Sequence, residues 1–502
     1  MAIPVATMDD LKEQLRQFEL KEVLLHCYEW SCKLDPHAPT PVYISSHIDR
    51  RGLAHTINVG IYAIALIARL SLIIRSHRVP NRLTSNSFLR LLSTVSELYE
   101  PVSDSMQFLI QTAYEQFWYQ NPIGRVIPRA LLMYQDACRR IRNPKFDIPQ
   151  EFRSRFGVSI MDFVALCFIF FTTTREAGHS IVKLPIHIKS DKVSKTVKPE
   201  IADAFLAFNS ANQDKFKDIA RKHSLSGIGD GRYDFNPFFK FPLIDLGSNQ
   251  FIAPLPDMII WRIKNGPYFE LRDIHQSDDP KKNPFSNFFG YVFQEYVGLL
   301  LEDSFAKGDV LPEIAYGKSQ KMGPDWIIRL GNVGIAIECT NSDLALPTKI
   351  LPKLQEVYGE FKRKYVDKIR KLPDKIDALT KPSSPYFDRL SGISRWHYLL
   401  IYREPLYLNE LFRRNIFDKV GKMPTLYHIM DIEDFESLLA LHTRYGIDKV
   451  LREKELSPDR VAEDFRPFLS SLSQRTGIEL RNATLQKTSD NFFNKITHAL
   501  ER

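Results

Sequence analysis

The chain of 502 residues contains few cysteines, and these do not form a recognisable metal or disulfide pattern. Its five cysteines are scattered and odd in number: Cys27, Cys32, Cys138, Cys167 and Cys339. None of them has the spacing of a zinc site, because Cys27 and Cys32 lack a second pair of Cys or His at ligand distance. Apolar residues make up 44% and charged residues 25%, which excludes disulfide-framework, collagen-like and disordered chains. We expect a reducing, cytoplasmic setting.

Long uninterrupted apolar runs are also missing. Segment 59–74 is apolar but contains Arg69, and segment 160–171 is shorter and contains Asp162. Both fall short of the roughly 20 residues that a membrane-spanning helix needs, so we predict two buried core helices and no membrane association. The opening residues have neither a basic nor an apolar signal region, so no secretory signal is expected.

Signatures of several enzyme classes are absent. There is no Gly-x-Ser-x-Gly elbow and no histidine pair at helical metal spacing, and the glycines of 227–231 do not match a phosphate-binding loop. His397 and His428 lie on predicted core strands, where hydrogen-bonded core histidines are expected rather than general bases. The remaining candidates for chemistry are carboxylates.

Basic residues exceed acidic residues modestly, by 68 to 60, which gives a formal net charge of +8. This charge permits a nucleic-acid partner without requiring one. Lysines and arginines are concentrated between Lys349 and Lys371, with Tyr358, Phe361 and Tyr365 interleaved. This run is either a phosphate-binding surface or a solvated helix face balanced by its acidic residues.

The length predicts two or three domains. Residues 1–225 carry apolar residues at helical spacing and predict an all-α half, and 226–283 predict a connector with a β-hairpin at 242–256. Residues 284–502 predict an α/β domain, a mixed sheet flanked by helices, with a helical C-terminal extension. Helices are predicted in the first half at 10–20, 53–76, 88–99, 105–119, 130–142 and 159–174, with a loop at 189–199 and a linker at 276–284.

The α/β half follows a definite order of elements. A helix at 284–303 precedes three strands, and the strand at 333–340 alternates so that Ile335, Ile337 and Cys339 share one face. Ala336, Glu338 and Thr340 then share the other. The predicted elements are strands 310–316, 324–330 and 333–340, helix 347–372, strand 395–402, helix 406–417, strand 425–429 and helix 432–441.

Three acidic residues in this half stand where a metal-dependent nuclease needs them. Glu295 lies beside the apolar stripe of the first helix, Asp325 at the mouth of an apolar strand, and Glu338 within the next strand. Each has an ordinary alternative: a carboxylate at a stripe edge, a turn cap and an edge-strand charge, respectively. A tight turn at 330–333 would bring Asp325 and Glu338 onto strands about 4.8 Å apart.

Two carboxylates on adjacent strands repel each other unless one is protonated or a cation binds between them. Mg²⁺ prefers carboxylate and carbonyl oxygens, and the carbonyl group of Cys339 is a further candidate ligand. Such an ion activates water and neutralises charge on a phosphate. The pair therefore predicts a magnesium or manganese site.

At these residues the sequence resembles the PD-(D/E)XK nuclease superfamily, which has a restriction-endonuclease-like fold. Residues 289–301 resemble its first core helix, GlyProAspTrpIleIle at 323–328 its PD motif, and IleAlaIleGluCysThr at 335–340 its E-x-K strand. The likeness covers about 284–445. It implies that Asp325 and Glu338 are metal ligands and that Glu295 is an auxiliary ligand or an organiser of the site.

The sequence departs from that family at one position, because Thr340 stands where the family has its lysine. Threonine cannot supply the positive charge that orients the attacking water. Either a lysine from elsewhere reaches the site, with Lys349, Lys353 or Lys321 as candidates, or the site is weakened and the domain binds nucleic acid without cutting it. Nucleic-acid contacts are expected from Lys321, Lys362, Arg363 and Lys364.

The resemblance implies a Mg²⁺-dependent nuclease acting on DNA, similar to bacterial defence proteins against foreign DNA. Cutting both strands of a duplex would favour a homodimer. The alternatives are a non-catalytic nucleic-acid-binding protein that keeps a degenerate nuclease fold, and an adaptor whose helical half binds another protein.

Overall fold

A computed structural model defines most of the chain. It describes residues 6–34, 42–48, 54–75, 77, 80–98, 123–176, 178, 180–183, 198–224, 227–276, 283–317, 320–345, 348–349, 353–406, 410–420, 426–456 and 464–501. The predicted helix at 105–119, most of the predicted loop at 189–199 and residues 277–282 of the predicted linker lie outside these residues.

The first half is mostly helical. Its strands are β1 (Val42–Ile48), β2 (Ala54–Gly60), β3 (Ile181–Lys183), β4 (Ser210–Ala211), β5 (Leu243–Asp245) and β6 (Gln250–Ile252). Its helices are Met8–Arg16, Leu20–Lys33, Ile61–Ile73, Ser85–Glu97, Ile123–Leu131, Cys138–Arg140, Ile148–Phe156, Ile160–Phe171, Pro199–Asn209, Gln213–Lys222 and Asp257–Ile274. Two π-helical stretches, Leu132–Ala137 and Thr172–Glu176, and a short 3₁₀ helix, Pro237–Phe239, complete this half.

The all-α prediction for 1–225 is wrong in part. The helix predicted at 53–76 begins only at Ile61, and the residues before it form β2, which pairs antiparallel with β1. Thr56, Ile57 and Val59 are β-branched and favour an extended backbone, and their short run was hidden by the apolar helix that follows. The predicted hairpin at 242–256 is present, with β5 antiparallel to β6.

Both apolar segments are buried core helices, as predicted. Every side chain of Ile64–Leu70 is buried, and so are those of Phe163–Cys167. No single helix among the described residues is long and apolar enough to cross a membrane, although the bent pair Ile148–Phe156 and Ile160–Arg175 would pass by length and composition.

A five-stranded mixed sheet organises the second half. Its strands are β7 (Val310–Pro312), β10 (Trp326–Leu330), β11 (Val333–Thr340), β12 (Arg395–Tyr402) and β13 (Tyr427–Asp431), in the order β13-β12-β11-β10-β7. β11, β12 and β13 are parallel, whereas β10 is antiparallel to both β11 and β7. A separate ribbon pairs β8 (Ala315–Tyr316) with β9 (Lys321–Met322).

Helices cover both faces of this sheet, as the α/β pattern predicts. The core helix, Pro284–Ser304, packs on the face that contains Ile335 and Ile337, and Ala336 packs on the opposite face against the segment Leu354–Leu379. The other helices of this half are Leu354–Phe361, Asp367–Ile369, Leu372–Leu379, Phe387–Leu390, Glu410–Val420, Ile432–Tyr445, Ile447–Glu455, Phe465–Thr476 and Ala483–Glu501.

The long helix predicted at 347–372 is interrupted. Its described part begins with Leu354–Phe361, passes through the π-helical turn Lys362–Val366, and restarts as Leu372–Leu379 with Pro373 in its first turn. Proline is tolerated there because the first N–H groups of a helix have no intrahelical partner.

One hydrophobic core joins the two halves. It contains Phe163 and Phe205 from the first half together with Phe289 and Phe435 from the second. A buried ionic network lies in the same region: Arg129 donates to Glu436 over 2.7 Å and to Glu433 over 3.2 Å, and the hydroxyl of Tyr296 donates to Glu436 over 2.7 Å. Side chains far apart in sequence therefore form one packed unit.

Candidate active site

Three carboxylates meet at one end of the sheet. Trp326 pairs with Ile337 on one side and with Pro312 on the other. Because both pairings are antiparallel, Asp325 comes opposite Glu338 and also opposite Glu313, one step beyond the paired residues. Directly opposed side chains lie on the same face of a sheet. We call Glu313, Asp325 and Glu338 the carboxylate cluster.

Asp325 is held in the cluster by a backbone donor. The N–H group of Cys339 donates to Asp325 Oδ2 over 2.6 Å. Burial and the neighbouring charge of Glu338 raise the pKa of Asp325 to about 8, although that hydrogen bond opposes the change. Burial also raises the pKa of Glu313. Asp325 and Glu313 therefore resist ionisation, and a cation bound between them would favour their charged forms.

Glu338 is paired with a lysine that was not among the predicted site residues. Lys375 lies on the helix Leu372–Leu379, and its Nζ donates to Glu338 Oε2 over 2.8 Å and to the carbonyl oxygen of Gly323 over 2.9 Å. The same ammonium group therefore binds the second carboxylate and the turn that precedes Asp325. Lys375 fixes the relative position of the two motif segments.

A second lysine occupies the place that Thr340 leaves open. Lys368 donates from Nζ to Thr340 Oγ1 over 2.7 Å, and the amide N–H of Ser342 donates to the same oxygen over 3.2 Å. Burial lowers the pKa of Lys368, and the charges of Glu338 and Asp325 oppose that change. A lysine from the opposite helix thus brings a positive charge to the position where the resemblance expects one.

The core helix presents Gln294, rather than Glu295, to this region. Gln294 Nε2 lies 3.5 Å from Glu313 Oε2, and the indole Nε1 of Trp326 donates to the carbonyl oxygen of Gln294 over 2.9 Å. Glu295 instead accepts from Nε of Arg140 over 3.0 Å. The structure therefore does not bring the predicted auxiliary ligand to the cluster, because one residue along a helix turns the side chain by about 100°.

A glycine sets the distance between the core helix and the sheet. A Cβ atom added to Gly298 would lie 2.2 Å from the indole of Trp326. Only the absence of a side chain allows the helix to approach β10 so closely. This approach places Gln294 beside Glu313 and the residue that follows Asp325.

None of the three lysines predicted to replace the motif lysine is the one bonded to Glu338 or Thr340. Lys349 lines the cavity described below, where it is buried and its ammonium group pairs with Asp343. Lys353 is exposed and pairs with Glu356 over 3.3 Å within its own helical turn. The lysines that bond to Thr340 and Glu338 are Lys368 and Lys375, respectively.

The predicted nucleic-acid contacts are spread over different surfaces. Lys321 lies on the exposed strand β9, and Lys362 and Arg363 are exposed on the π-helical turn. Lys364 is half-buried and pairs with Glu360 over 2.8 Å and with the carbonyl oxygen of Asp343. Of these four residues, only Lys364 lines the cavity described next.

A cavity of about 1200 Å³ opens onto the site. Asp325, Thr340 and Lys368 form one end of its wall, and the rest comes from both halves of the chain. Nine arginine and lysine side chains line it against five aspartate and glutamate side chains, and eight of its lining residues are Phe, Tyr or Trp. Such a lining suits a ligand that is both anionic and aromatic.

The carboxylate cluster has the type of donor atom that a hard divalent cation prefers. Glu313, Asp325 and Glu338 would supply carboxylate oxygens to Mg²⁺ or Mn²⁺. Burial, with the nearby charge of Asp325, raises the pKa of the Cys339 thiol well above its usual range. The predicted ligation by the Cys339 carbonyl group stays a prediction.

A different polar cluster lies near the other end of β12. His397 bonds through Nδ1 to Glu455 over 2.6 Å and through Nε2 to Asp448 over 2.9 Å, while His428 Nε2 lies 3.1 Å from the same Glu455 oxygen. These histidines are buried and hydrogen-bonded, as predicted. Within the described residues, His397, His428 and Glu455 are the one group of three or more His, Cys, Asp or Glu side chains whose ligand atoms all lie within 4.8 Å of one another, a spacing that the three residues of the carboxylate cluster do not meet. The guanidinium group of Arg395 also binds Glu455, so the carboxylate already has a cationic partner.

Sequence reasoning missed Glu313, Gln294 and Lys375, and it placed Lys368 only within the basic run of 349–371. Glu313 had a signal, because it lies within the predicted strand 310–316 and could have been aligned with Asp325. The contacts of the two lysines gave none, since their helices approach the sheet from the face opposite the core helix and the contact spans 28 residues for Lys368 and 37 for Lys375.

Comparison with known proteins does not add a family to this description. No model of a known protein family matches the chain, and no curated protein sequence matches it.

Proposed function

We propose that the protein is a Mg²⁺-dependent nuclease with a restriction-endonuclease-like domain, and that it hydrolyses phosphodiester bonds, with DNA as the expected polymer. The observation that carries the proposal is the row Glu313–Asp325–Glu338 across β7, β10 and β11, with Lys368 bonded to Thr340 beside it. The order of core helix, aspartate-bearing strand and glutamate-bearing strand agrees with the PD-(D/E)XK resemblance.

Each residue has a chemical role in this proposal. Asp325 and Glu338, with Glu313, would hold the cation, which when bound supplies a polarised water and charge neutralisation at the phosphate. The ammonium group of Lys368 orients the water and stabilises the negative charge that develops on the phosphoryl oxygens. Lys375 is a positioning residue, since it binds both Glu338 and the Gly323 carbonyl group.

Action on both strands of a duplex by a homodimer, and defence against foreign DNA, belong to the same proposal. They derive from the resemblance alone. The net charge of +8 is compatible with a polyanionic substrate.

A non-catalytic nucleic-acid-binding protein is the second candidate function. The observation that favours it is the ion pair between Lys375 and Glu338, which already gives one carboxylate a cationic partner. In that case the cluster would be a structural remnant and the cavity would bind nucleic acid without cutting it.

Cleavage assays with the full-length protein separate the two candidates. Supercoiled plasmid, linear duplex DNA and single-stranded oligonucleotides are incubated with Mg²⁺, Mn²⁺ or EDTA. We expect cleavage with either metal ion that is abolished in EDTA, and a loss of about 10³-fold in Asp325→Asn and Glu338→Gln because each substitution removes a ligand charge.

Two controls make the result decisive. Asp388→Asn, a surface carboxylate substitution remote from the cluster, should leave cleavage unchanged, and circular dichroism should give the same folded spectrum for every variant. Folded wild-type protein that binds nucleic acid and cuts none of these substrates with any divalent ion would contradict the nuclease and support the binding protein.

A further inference from the structure

The wall of the cavity next to the carboxylate cluster contains an exposed aromatic side chain. Tyr291 on the core helix is 59% exposed and is one of five large apolar side chains that are exposed among the described residues. Asn287, Tyr291 and Gln294 are four and three residues apart, so they lie on one face of the helix, and all three line the cavity. The tyrosine is therefore held by a packed helix, one turn from the residue that reaches Glu313.

Further into the cavity, aromatic rings and guanidinium groups are stacked on one another. Trp261 and Phe269 have ring centres 5.8 Å apart with planes 7° from parallel, and the guanidinium group of Arg272 lies 4.7 Å from the centre of Phe269. Arg403 lies 4.4 Å from the centre of the Tyr268 ring. Trp261, Tyr268 and Arg403 are themselves buried, so they form a rigid cationic and aromatic wall, and the exposed ring of Tyr291 supplies a surface on which a base can stack.

The size and lining of the cavity favour one form of the polymer. At about 1200 Å³ it is larger than most small-molecule pockets, which measure roughly 300–1,000 Å³. Its lining comes from both halves of the chain and includes Leu66 of the first half. The faces of unpaired bases are free to stack on aromatic side chains, whereas in a duplex they are already stacked on one another, so an aromatic lining favours a single strand.

We propose that the polymer enters the site as a single strand, with its bases in the aromatic cavity and one base stacked on Tyr291 at the mouth, so that a phosphate reaches Asp325 and Lys368. This inference rests on the proposed function and narrows its substrate to single-stranded polynucleotide, either free or locally unpaired from a duplex. Stacking tolerates any base, so little sequence preference is expected.

Binding measurements in the full-length Glu338→Gln variant test this proposal without cleavage. The probes are fluorescein-labelled oligothymidylate of about 12 nucleotides, oligouridylate of the same length, and a duplex of the same length. We expect single strands to bind at least ten-fold more tightly than the duplex. Adding Tyr291→Ala should weaken single-strand binding about ten-fold, whereas Tyr291→Phe should keep it, because phenylalanine retains the stacking surface. The deoxy and ribo probes tell the two polymers apart.

A matched substitution controls for the loss of an exposed apolar side chain. Met322 is 49% exposed on β9 and does not line the cavity, so Met322→Ala should leave binding unchanged. Equal or tighter duplex binding, or single-strand binding that is insensitive to Tyr291→Ala in a folded variant, would overturn the inference while cleavage by the wild-type protein still upholds the nuclease. Binding that depends on Tyr291 together with no cleavage would uphold the cavity as a single-strand site and overturn the nuclease.

Discussion

Lys368 donates a hydrogen bond from its ammonium group to Thr340 Oγ1 over 2.7 Å, at the strand position where the resemblance expects a lysine. The charge comes from a helix on the other side of the site, and the threonine hydroxyl group fixes it. Thr340 and Lys368 together therefore take the place of a single residue. Moving the lysine from position 368 to position 340 tests this arrangement.

We expect Lys368→Ala to lower kcat by about 10²–10³-fold with little change in KM, because the ammonium group acts on the charge that forms in the transition state. Thr340→Lys combined with Lys368→Ala should recover at least ten-fold of that loss, since the new lysine extends from the strand toward the space vacated by Lys368. Steady-state kinetics on an oligonucleotide measure both effects.

Lys381→Ala serves as a control, because this lysine is exposed and has no place in the site. Equal activity of Lys368→Ala and wild-type protein would exclude the proposed role for Lys368. Failure of the double variant alone would mean that the two lysine positions are not equivalent.

Asp325→Asn is expected to stabilise the metal-free protein. The folded-state pKa of Asp325 is raised to about 8, so ionisation at neutral pH costs folding free energy that the unfolded chain does not incur. The amide removes this cost, and we expect the free energy of unfolding in EDTA at pH 7.5 to rise by about 1–3 kcal/mol. Chemical denaturation measures it, and a decrease would contradict the environment described here.

The same denaturation series tests metal binding. Mg²⁺ should raise the melting temperature of the wild-type protein and leave Asp325→Asn nearly unchanged, because a ligand that binds only the folded state stabilises it. A similar Mg²⁺ effect in both proteins would place the ion elsewhere.

Glu295→Gln should leave cleavage within two-fold of wild type, although the residue was predicted to be an auxiliary ligand. Its carboxylate bonds to Arg140, and both side chains are about one-quarter exposed, so the expected loss of stability is below about 1 kcal/mol. Parallel cleavage and urea-denaturation curves check this. A large loss of activity with normal stability would show that Glu295 acts at the site, as the sequence predicted.

Gly298→Ala should destabilise the protein by about 1–3 kcal/mol, because the added methyl group would overlap the Trp326 indole. It should also lower kcat, since the core helix must move away from β10. Gly290→Ala is the matched control for stability on the same helix: a Cβ there meets nothing within 4 Å, and alanine favours the helix. Thermal unfolding compares the two variants.

Acid should weaken the fold through His428. Burial lowers its pKa to about 4, against the opposing effects of Glu455, while His397 and Lys454 add to the decrease. Between about pH 6.5 and pH 4 the imidazole of His428 binds a proton in the unfolded chain but not in the folded protein. As the pH is lowered through this window, the free energy of unfolding therefore falls by roughly 3 kcal/mol. His428→Asn should remove this part of the pH dependence.

His77→Asn, a substitution at the surface, should leave the pH profile unchanged. Urea denaturation at pH 4.5, 5.5 and 7 would measure all three proteins. The same slope in wild type and His428→Asn would show that another group is responsible.

Much of the second half could be predicted because local sequence patterns determine it. The alternation in 333–340 placed Glu338 and Thr340 on one face, and the structure confirms that arrangement in the two separate cores that flank β11. The turn between β10 and β11 set the register that puts Asp325 opposite Glu338.

The errors have physical causes that a single sequence does not reveal. Glu295 and Gln294 differ by one helical position, and the true orientation depends on the contact between Gly298 and Trp326, which joins separate elements. Lys368 and Lys375 depend on where an interrupted helix crosses the sheet. Strand β2 was not predicted because its apolar residues are directly followed by those of a buried helix, and the two segments read as one helix.

The buried ionic network limits how this protein can be cut into fragments or fused to parts of another protein. Its members are Arg129, Glu433, Glu436 and Tyr296. Removing Arg129 would leave the buried Glu436 without its cation, a defect that typically costs about 3–5 kcal/mol, whereas Glu433 would keep Arg466 and Lys264 as partners. A fragment that begins at residue 284 lacks that arginine. Transplanting the five-stranded sheet onto another protein would therefore require carrying the segment 123–140 with it, so a viable crossover point lies upstream of that segment and not at the polar stretch before the core helix.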